Sequence, residues 1–164
     1  RTTGPPPLGG VWSETGAQAA FSRGGDVPGI LNLATGETKL LTPRTGQDTW
    51  MAFTSWSPDG KKIAFHTIGA KGPAGVGIYY PQDGSAVPLT SQGAAPVWLS
   101  DSRRLLYETG FELHLFDSVT RSDRVILRTE PYTIELGHRS GGVRDWIYLS
   151  LLSTEADIWT FDIK

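Results

Sequence analysis

The sequence predicts an all-β chain folded as a β-propeller of four blades, each a four-stranded antiparallel sheet. Three observations carry this expectation: a repeat near forty residues long, four short strand patterns in each copy, and a tryptophan followed by a turn at the same place in successive copies. The clearest copy is Trp56-Ser57-Pro58-Asp59-Gly60-Lys61-Lys62-Ile63-Ala64-Phe65. Its centre is a turn with a mechanism. Pro presets φ near −65°, Asp bonds nearby backbone, and Gly accepts positive φ. Ile63-Ala64-Phe65 then reads as a short buried strand.

A gapless relative, Trp12-Ser13-Glu14-Thr15-Gly16-Ala17-Gln18-Ala19-Ala20-Phe21, stands 44 residues earlier. Another, Trp98-Leu99-Ser100-Asp101-Ser102-Arg103-Arg104-Leu105-Leu106-Tyr107, stands 42 residues later and puts Ser102 where Gly60 stood. A fourth copy over residues 140–149 keeps the strand Ile147-Tyr148-Leu149, with Gly141 and Gly142 near the bend. Its Ser140 takes the tryptophan position. Third strands are predicted at residues 30–33, 78–80, 113–116 and 158–161, and fourth strands at 38–42, 86–90 and 124–128. The repeats span about 6–42, 50–90, 94–128 and 134–164 of a single domain covering residues 1–164. Trp12, Trp56 and Trp98 share one repeat position, which predicts core between blades for all three.

The run Trp-Ser-Pro-Asp-Gly-Lys-x-Ile-Ala-Phe, then Ile78-Tyr79, then Pro88-Leu89-Thr90, resembles the TolB-like propeller repeat, a relative of WD-type repeats. The last segment, Trp146-Ile147-Tyr148-Leu149 through Ala156-Asp157-Ile158-Trp159, is similar to the C-terminal blade of bacterial multidomain proteins. The resemblance implies a non-enzymatic scaffold that binds a protein, peptide or other ligand, as the interaction or sensor region of a larger bacterial protein. It equally implies, as an alternative, a propeller accompanying a catalytic domain, such as a peptidase gate. It favours the periplasm or another extracytoplasmic compartment. Propellers host many activities, so the fold does not choose between these.

Composition sets further bounds. A chain of 164 residues has room for a sizeable core, and six Trp, five Tyr and six Phe supply bulky packing between sheets. Frequent turns account for twenty Gly and eleven Pro. A formal charge of −2 provides no basic field for nucleic acid. The absence of cysteine excludes disulfides and thiol chemistry. No apolar run approaches the roughly 18 residues of a membrane span. The chain begins at Arg1 rather than Met, as an excised or processed piece would.

Taken in order, Pro5-Pro6-Pro7 marks a connector entering the first inner strand near Val11-Trp12. The second repeat carries an insertion: 13 positions separate Phe65 from Ile78, against 9 between Phe21 and Ile30 and 6 between Tyr107 and Leu113. Residues 66–77, with four Gly before Ile78 that include Gly69, Gly72 and Gly75, read as a flexible surface loop. In a four-stranded blade the 2–3 loop and the link to the next blade leave from one end, so this loop shares a face with residues 43–48, 91–94 and 129–133. Variable loops on a rigid scaffold concentrate function. The candidate binding residues on that face are Arg44, Asp48, His66, Lys71, Gln92 and Glu130.

No catalytic residue, cofactor or metal is predicted. Gly69-Ala70-Lys71-Gly72 lacks phosphate-loop spacing, and Gly137-His138-Arg139-Ser140-Gly141 lacks a nucleophile elbow. His66, His114 and His138 read as strand histidines. Asp59, Asp83 and Asp101 belong in turns for backbone reasons rather than for calcium. Asp26, Asp48, Glu108, Glu130 and Glu155 fall toward the loop-rich end, but nothing in the sequence sets a carboxylate separation. The last repeat ends after its third strand, with residues 1–3 as the remaining donor. This predicts part of a larger ring, or a ring that closes imperfectly or by self-association through an open edge.

Overall fold

The computed structural model describes residues 10–22, 28–41, 49–69, 72–136 and 149–153, and every regular element in it is a strand. The first sheet contains β1 (Gly10–Trp12), β2 (Gln18–Phe21), β3 (Gly29–Asn32) and β4 (Thr38–Leu40), in that order. The second contains β5 (Thr49–Trp56), β6 (Ile63–Gly69), β7 (Gly72–Tyr80) and β8 (Ser85–Pro88). The third contains β9 (Ala94–Trp98), β10 (Arg104–Glu108), β11 (Glu112–Asp117) and β12 (Asp123–Arg128). β13 (Thr133–Leu136) pairs with β14 (Leu149–Leu152) in a fourth sheet. The architecture is all-β, with neighbouring strands antiparallel throughout, as the repeats predict.

The fourth unit differs from its predicted alignment. Its first strand is β13, at residues 133–136, so the pairing starts before His138 and Ser140, and β14 extends past Leu149 to Leu152. The expected third strand at 158–161 lies outside the described residues, so this sheet is described with two of the three strands expected of the last repeat.

The turns follow from their side chains. Ser57 Oγ accepts the Lys62 amide at 2.9 Å, and Asp59 Oδ1 accepts the Lys61 amide at 3.0 Å. Gly60 sits at φ 70°, where L side chains are disfavoured. Ser13 repeats the first of these bonds with the Gln18 amide, and Asp101 takes the Arg103 and Arg104 amides. These carboxylates are occupied by backbone, the role predicted for them. Ser102 adopts φ 54° in place of Gly60's equivalent, and its Oγ accepts the Asp59 amide at 3.0 Å, tying one sheet's turn to the next.

Cross-strand registers show how the sheets stack. Trp56, Ile63, Tyr79 and Ala86 stand opposite one another in a row, and so do Trp98, Leu105, Phe116 and Asp123. The first of these rows packs on Val11, Ala20 and Ile30 of the first sheet. The second packs on Ala64, Val76 and Ile78 of the second sheet. Leu106 and Leu113 of the third sheet then meet Ile134 and Leu136 of the fourth. The Trp56 and Trp98 faces are thus each covered by the preceding sheet. Inner strands are tied laterally as well: Ser55 Oγ donates to Pro96 O and accepts from Trp98 N, and Thr54 Oγ1 also donates to Pro96 O.

Two expectations need correction here. Trp12 is 63% exposed, whereas Trp56 and Trp98 are 7% and 6% exposed. Burial at this position comes from the preceding sheet, and no such sheet covers Trp12 among the described residues. Residues 66–77 are also mostly strand rather than loop. β6 and β7 continue their ladder through His66↔Val76, Thr67↔Gly75 and Ile68↔Pro73 to Gly69↔Gly72, and the lengthened β5 supports them as far as Thr49↔Gly69. Extending the ladder pairs backbone groups that a loop would leave to solvent. The glycines serve close approach: a Cβ on Gly77 would come within 2.3 Å of the Phe65 ring.

Candidate functional site

The repeat makes one position informative. Phe21 faces Gly29 and Phe65 faces Gly77, each ring lying over a glycine on the neighbouring strand. In the third sheet that pair becomes Tyr107 and His114. The two rings stack at 4.6 Å with 21° between planes. Asp123, which begins β12, occupies the row position held by Thr38 and Ala86 in the other sheets. A bulge at Ile126 shifts the β11–β12 register and leaves Val125 opposite His114.

These departures build a polar cluster around two buried rings, Tyr107 and His114. The Tyr107 hydroxyl donates to Asp123 Oδ2 at 2.5 Å. His114 Nδ1 lies 3.3 Å from Asp123 Oδ1 and 3.2 Å from the Tyr107 hydroxyl. Its Nε2 lies 3.3 Å from Thr109 Oγ1 and 3.4 Å from Glu112 Oε2. A neutral imidazole donates from one nitrogen and accepts at the other, and the Thr109 hydroxyl can serve Nε2 in either role; a protonated one donates toward both carboxylates. Arg128 Nε donates to Glu112 Oε1 at 2.7 Å, and this bond holds the Glu112 carboxyl below its ordinary range.

The cluster backs onto a pocket of about 190 Å3 lined by Thr109, Phe111, Glu112, Arg128 and Glu130. The three-residue β10–β11 loop shapes one wall. Gly110 takes φ 90°, and its amide is held by Glu108 Oε2 at 2.6 Å. The chain leaving β12 wraps this loop: Thr129 N donates to Phe111 O, and Ile134 N donates to Gly110 O. The 2–3 loop and the link to the next sheet therefore meet at one end, as strand order predicts.

Of the predicted binding residues, Glu130 lines this pocket. Gln92 is exposed in the link between β8 and β9, and it does not line the pocket. His66 is buried in β6, where its Nδ1 accepts the Ala95 amide at 3.3 Å. Arg44, Asp48 and Lys71 lie outside the described residues, as does His138. Sequence reasoning passed over Tyr107, Thr109, Phe111, Glu112, Asp123 and Arg128. The available signal was the break in the aromatic–glycine pair at Tyr107 and His114. Among the described residues, no group of three or more His, Asp or Glu is placed to hold a metal ion. A more open cavity of about 620 Å3 lies toward the turns, lined by Gln18, Ile30, Asn32, Glu37, Thr38, Lys39 and Pro81. Its Asn32 carboxamide oxygen is already taken by the Ala34 and Thr35 amides.

Burial pushes the Tyr107 hydroxyl well above its ordinary value of 10.0, helped by its bond to Asp123. The native state therefore keeps a proton that the unfolded chain loses. The stabilisation is fully present below pH 10 and is lost as pH rises beyond it toward the folded value. Urea midpoints are expected to fall across this alkaline range in the wild type, and to fall less in Tyr107→Phe. Equal slopes in the two proteins would show that Tyr107 titrates normally.

No protein-family model matches the chain, and no curated protein matches it by sequence. Solved structures do match. TolB from Acinetobacter baumannii aligns over 73% of this chain and 32% of its own, at 22% identity and TM-score 0.56. The β-propeller domain of the Trilobed protease from Pyrococcus furiosus aligns over 78% and 44%, at 17% identity and TM-score 0.56. The fold is that of TolB-like β-propellers. An oligogalacturonate lyase in complex with manganese shares this propeller likeness over 79% and 42%, at 12% identity and TM-score 0.61. The chain thus spans less than half the length of each of these propeller-containing structures. No helix among the described residues is long and apolar enough to cross a membrane.

Proposed function

We propose that this propeller segment is a non-enzymatic binding module that takes a protein or peptide partner at the loop-rich end of its third sheet. The observation that carries this is the pocket of Thr109, Phe111, Glu112, Arg128 and Glu130, set where the chain departs from its own repeat. Phe111 offers an exposed apolar face, Glu130 an exposed carboxylate, and the Arg128–Glu112 pair a fixed polar wall. That combination suits a peptide with one apolar and one basic side chain. Gln92 and the predicted Arg44, Asp48 and Lys71 extend the same reading, while His66, buried in β6, contributes by holding the Ala95 amide. The likeness to TolB supports an interaction role.

A second reading is supported by the likeness to the propeller domain of the Trilobed protease and to an acylaminoacyl peptidase from Pyrococcus horikoshii. In that reading the propeller accompanies a catalytic domain and gates access to it.

Selection of a displayed random-peptide library on the immobilised chain tests the first reading. Selected peptides are expected to lose about tenfold in affinity, or 1.4 kcal/mol, on Phe111→Ala and on Glu130→Lys. Binding that survives both substitutions, or that is lost on changes at Asp59 or Asp83, overturns it.

A further inference from the structure

A buried imidazole stands behind the pocket of the third sheet. His114 is 7% exposed and lies in β11 between two carboxylates, Asp123 on one side and Glu112 on the other. Tyr107 faces it from β10, Thr109 from the β10–β11 loop, Glu112 from its own strand and Asp123 from β12. Arg128 is joined to it through Glu112. The second sheet packs Val76, Ile78 and the titratable Tyr80 against the cluster that contains Tyr107. The bonds around the ring fix its neutral tautomer. The Tyr107 hydroxyl gives its one proton to Asp123 Oδ2, so His114 Nδ1 meets two acceptors, the Tyr107 oxygen and Asp123 Oδ1. Nδ1 therefore carries the proton of the neutral ring. Nε2 then accepts from Thr109 Oγ1 and turns its lone pair toward Glu112 Oε2 at 3.4 Å. A second proton on the ring reverses that contact, because Nε2–H then points at a carboxylate.

We infer that His114 sets the charge of this pocket, and with it the charge of the side chain that the pocket accepts. The inference rests on the peptide-binding reading above. Thr109 and Glu112 touch the ring and also line the pocket, so they connect the two. Arg128 holds Glu112 Oε1, which leaves Oε2 as the oxygen that answers both to His114 and to a ligand. Glu112 and Glu130 bring two negative charges to the lining and Arg128 one positive charge. With His114 neutral the balance is one negative charge, which favours a basic side chain. With His114 protonated the balance is zero, and Nε2–H competes with the ligand for Glu112 Oε2. The ring thus selects the ligand's charge from behind the pocket wall.

The probe is a basic peptide selected on the immobilised whole chain, its affinity measured by calorimetry at about pH 8 and about pH 5.5. These values bracket the range in which histidine ordinarily ionises and stay above that of free carboxylates. Affinity is expected to fall about tenfold at the lower pH in the wild type, the order expected of one added charge close by, and to stay level in His114→Gln. Asp123→Asn leaves the ring in place but removes a charge beside it, so it is expected to move the transition to lower pH. A merely structural role would weaken binding in these variants without moving the pH profile. In the ligand-free chain, nitrogen–proton correlation spectra are expected to show the Thr109, Gly110 and Phe111 amides shifting with pH in step with the His114 ring. Equal wild-type affinity at both pH values, or an unchanged pH profile in both variants, overturns the inference and leaves the peptide reading standing. Failure to select any peptide at either pH, with the pocket amides still following the ring, overturns the peptide reading and supports the ring's control of the pocket. Pocket amides that ignore the ring overturn the inference whether or not a peptide binds.

Discussion

Replacing Trp56 with alanine is expected to destabilise the chain by about 3–5 kcal/mol, the usual cost of emptying a large aromatic site in a core. The indole seals the contact between the first and second sheets beside Val11, Ile30 and Ile63. Its Nε1 donates to the Val11 carbonyl, which alanine would leave without that partner. Trp12→Ala is the internal control. The residue has the same repeat position and the same turn, yet in dilute protein its loss is expected to cost no more than about 0.5 kcal/mol, as for an exposed site. Urea denaturation of both variants checks the pair. Similar losses at Trp12 and Trp56 would show that the preceding sheet is not what buries the tryptophan.

Gly75→Ala is expected to cost about 3 kcal/mol, at the upper end for a single strained backbone position. Gly75 lies in β7 at φ 132°, a conformation that L side chains rarely adopt. A Cβ there would stand 2.3 Å from the Thr90 carbonyl oxygen and 3.2 Å from the Ser91 carbonyl carbon. Both atoms are backbone and cannot rotate aside, unlike the ring tip that faces Gly77. The amide and carbonyl of Val76 bond the same segment, through Thr90 Oγ1 and the Leu89 amide. A displaced Gly75 would therefore disturb the β7–β8 ladder as well. Thermal unfolding compared with Gly16→Ala, whose Cβ would meet nothing within 4 Å, separates the clash from positive φ alone. Equal losses for the two variants would mean that the Thr90 contact contributes nothing.

Local chemistry was legible in the sequence. Pro58-Asp59-Gly60 specifies a turn locally, and the predicted Asp59 bond to nearby backbone forms, joined by Ser57 bonds that span five residues. The repeat of short apolar strands set the antiparallel order of each sheet, because a hairpin with a short loop leaves a strand little choice of partner. The loop-rich end followed from strand order alone. Glu130 was placed at that end by the same route, since it sits where a link must pass the 2–3 loop.

Tertiary structure decided what depends on neighbours distant in sequence. Trp12 and Trp56 carry the same local signal, and only the presence of a preceding sheet makes one core and the other surface. The insertion at residues 66–77 looked like a loop because its glycines suggest freedom. Phe65 and the Thr90 backbone instead require them, and both contacts appear only when β7 lies between β6 and β8. The cluster of Tyr107, His114 and Asp123 was hidden for the same reason. No spacing along the chain joins these three residues. The β10–β11 register sets the first two face to face, and β12, bulged at Ile126, brings the carboxylate to both. A sequence states which strands exist; the energy that buries a ring or confines a carboxylate beside an imidazole arises only where their faces meet.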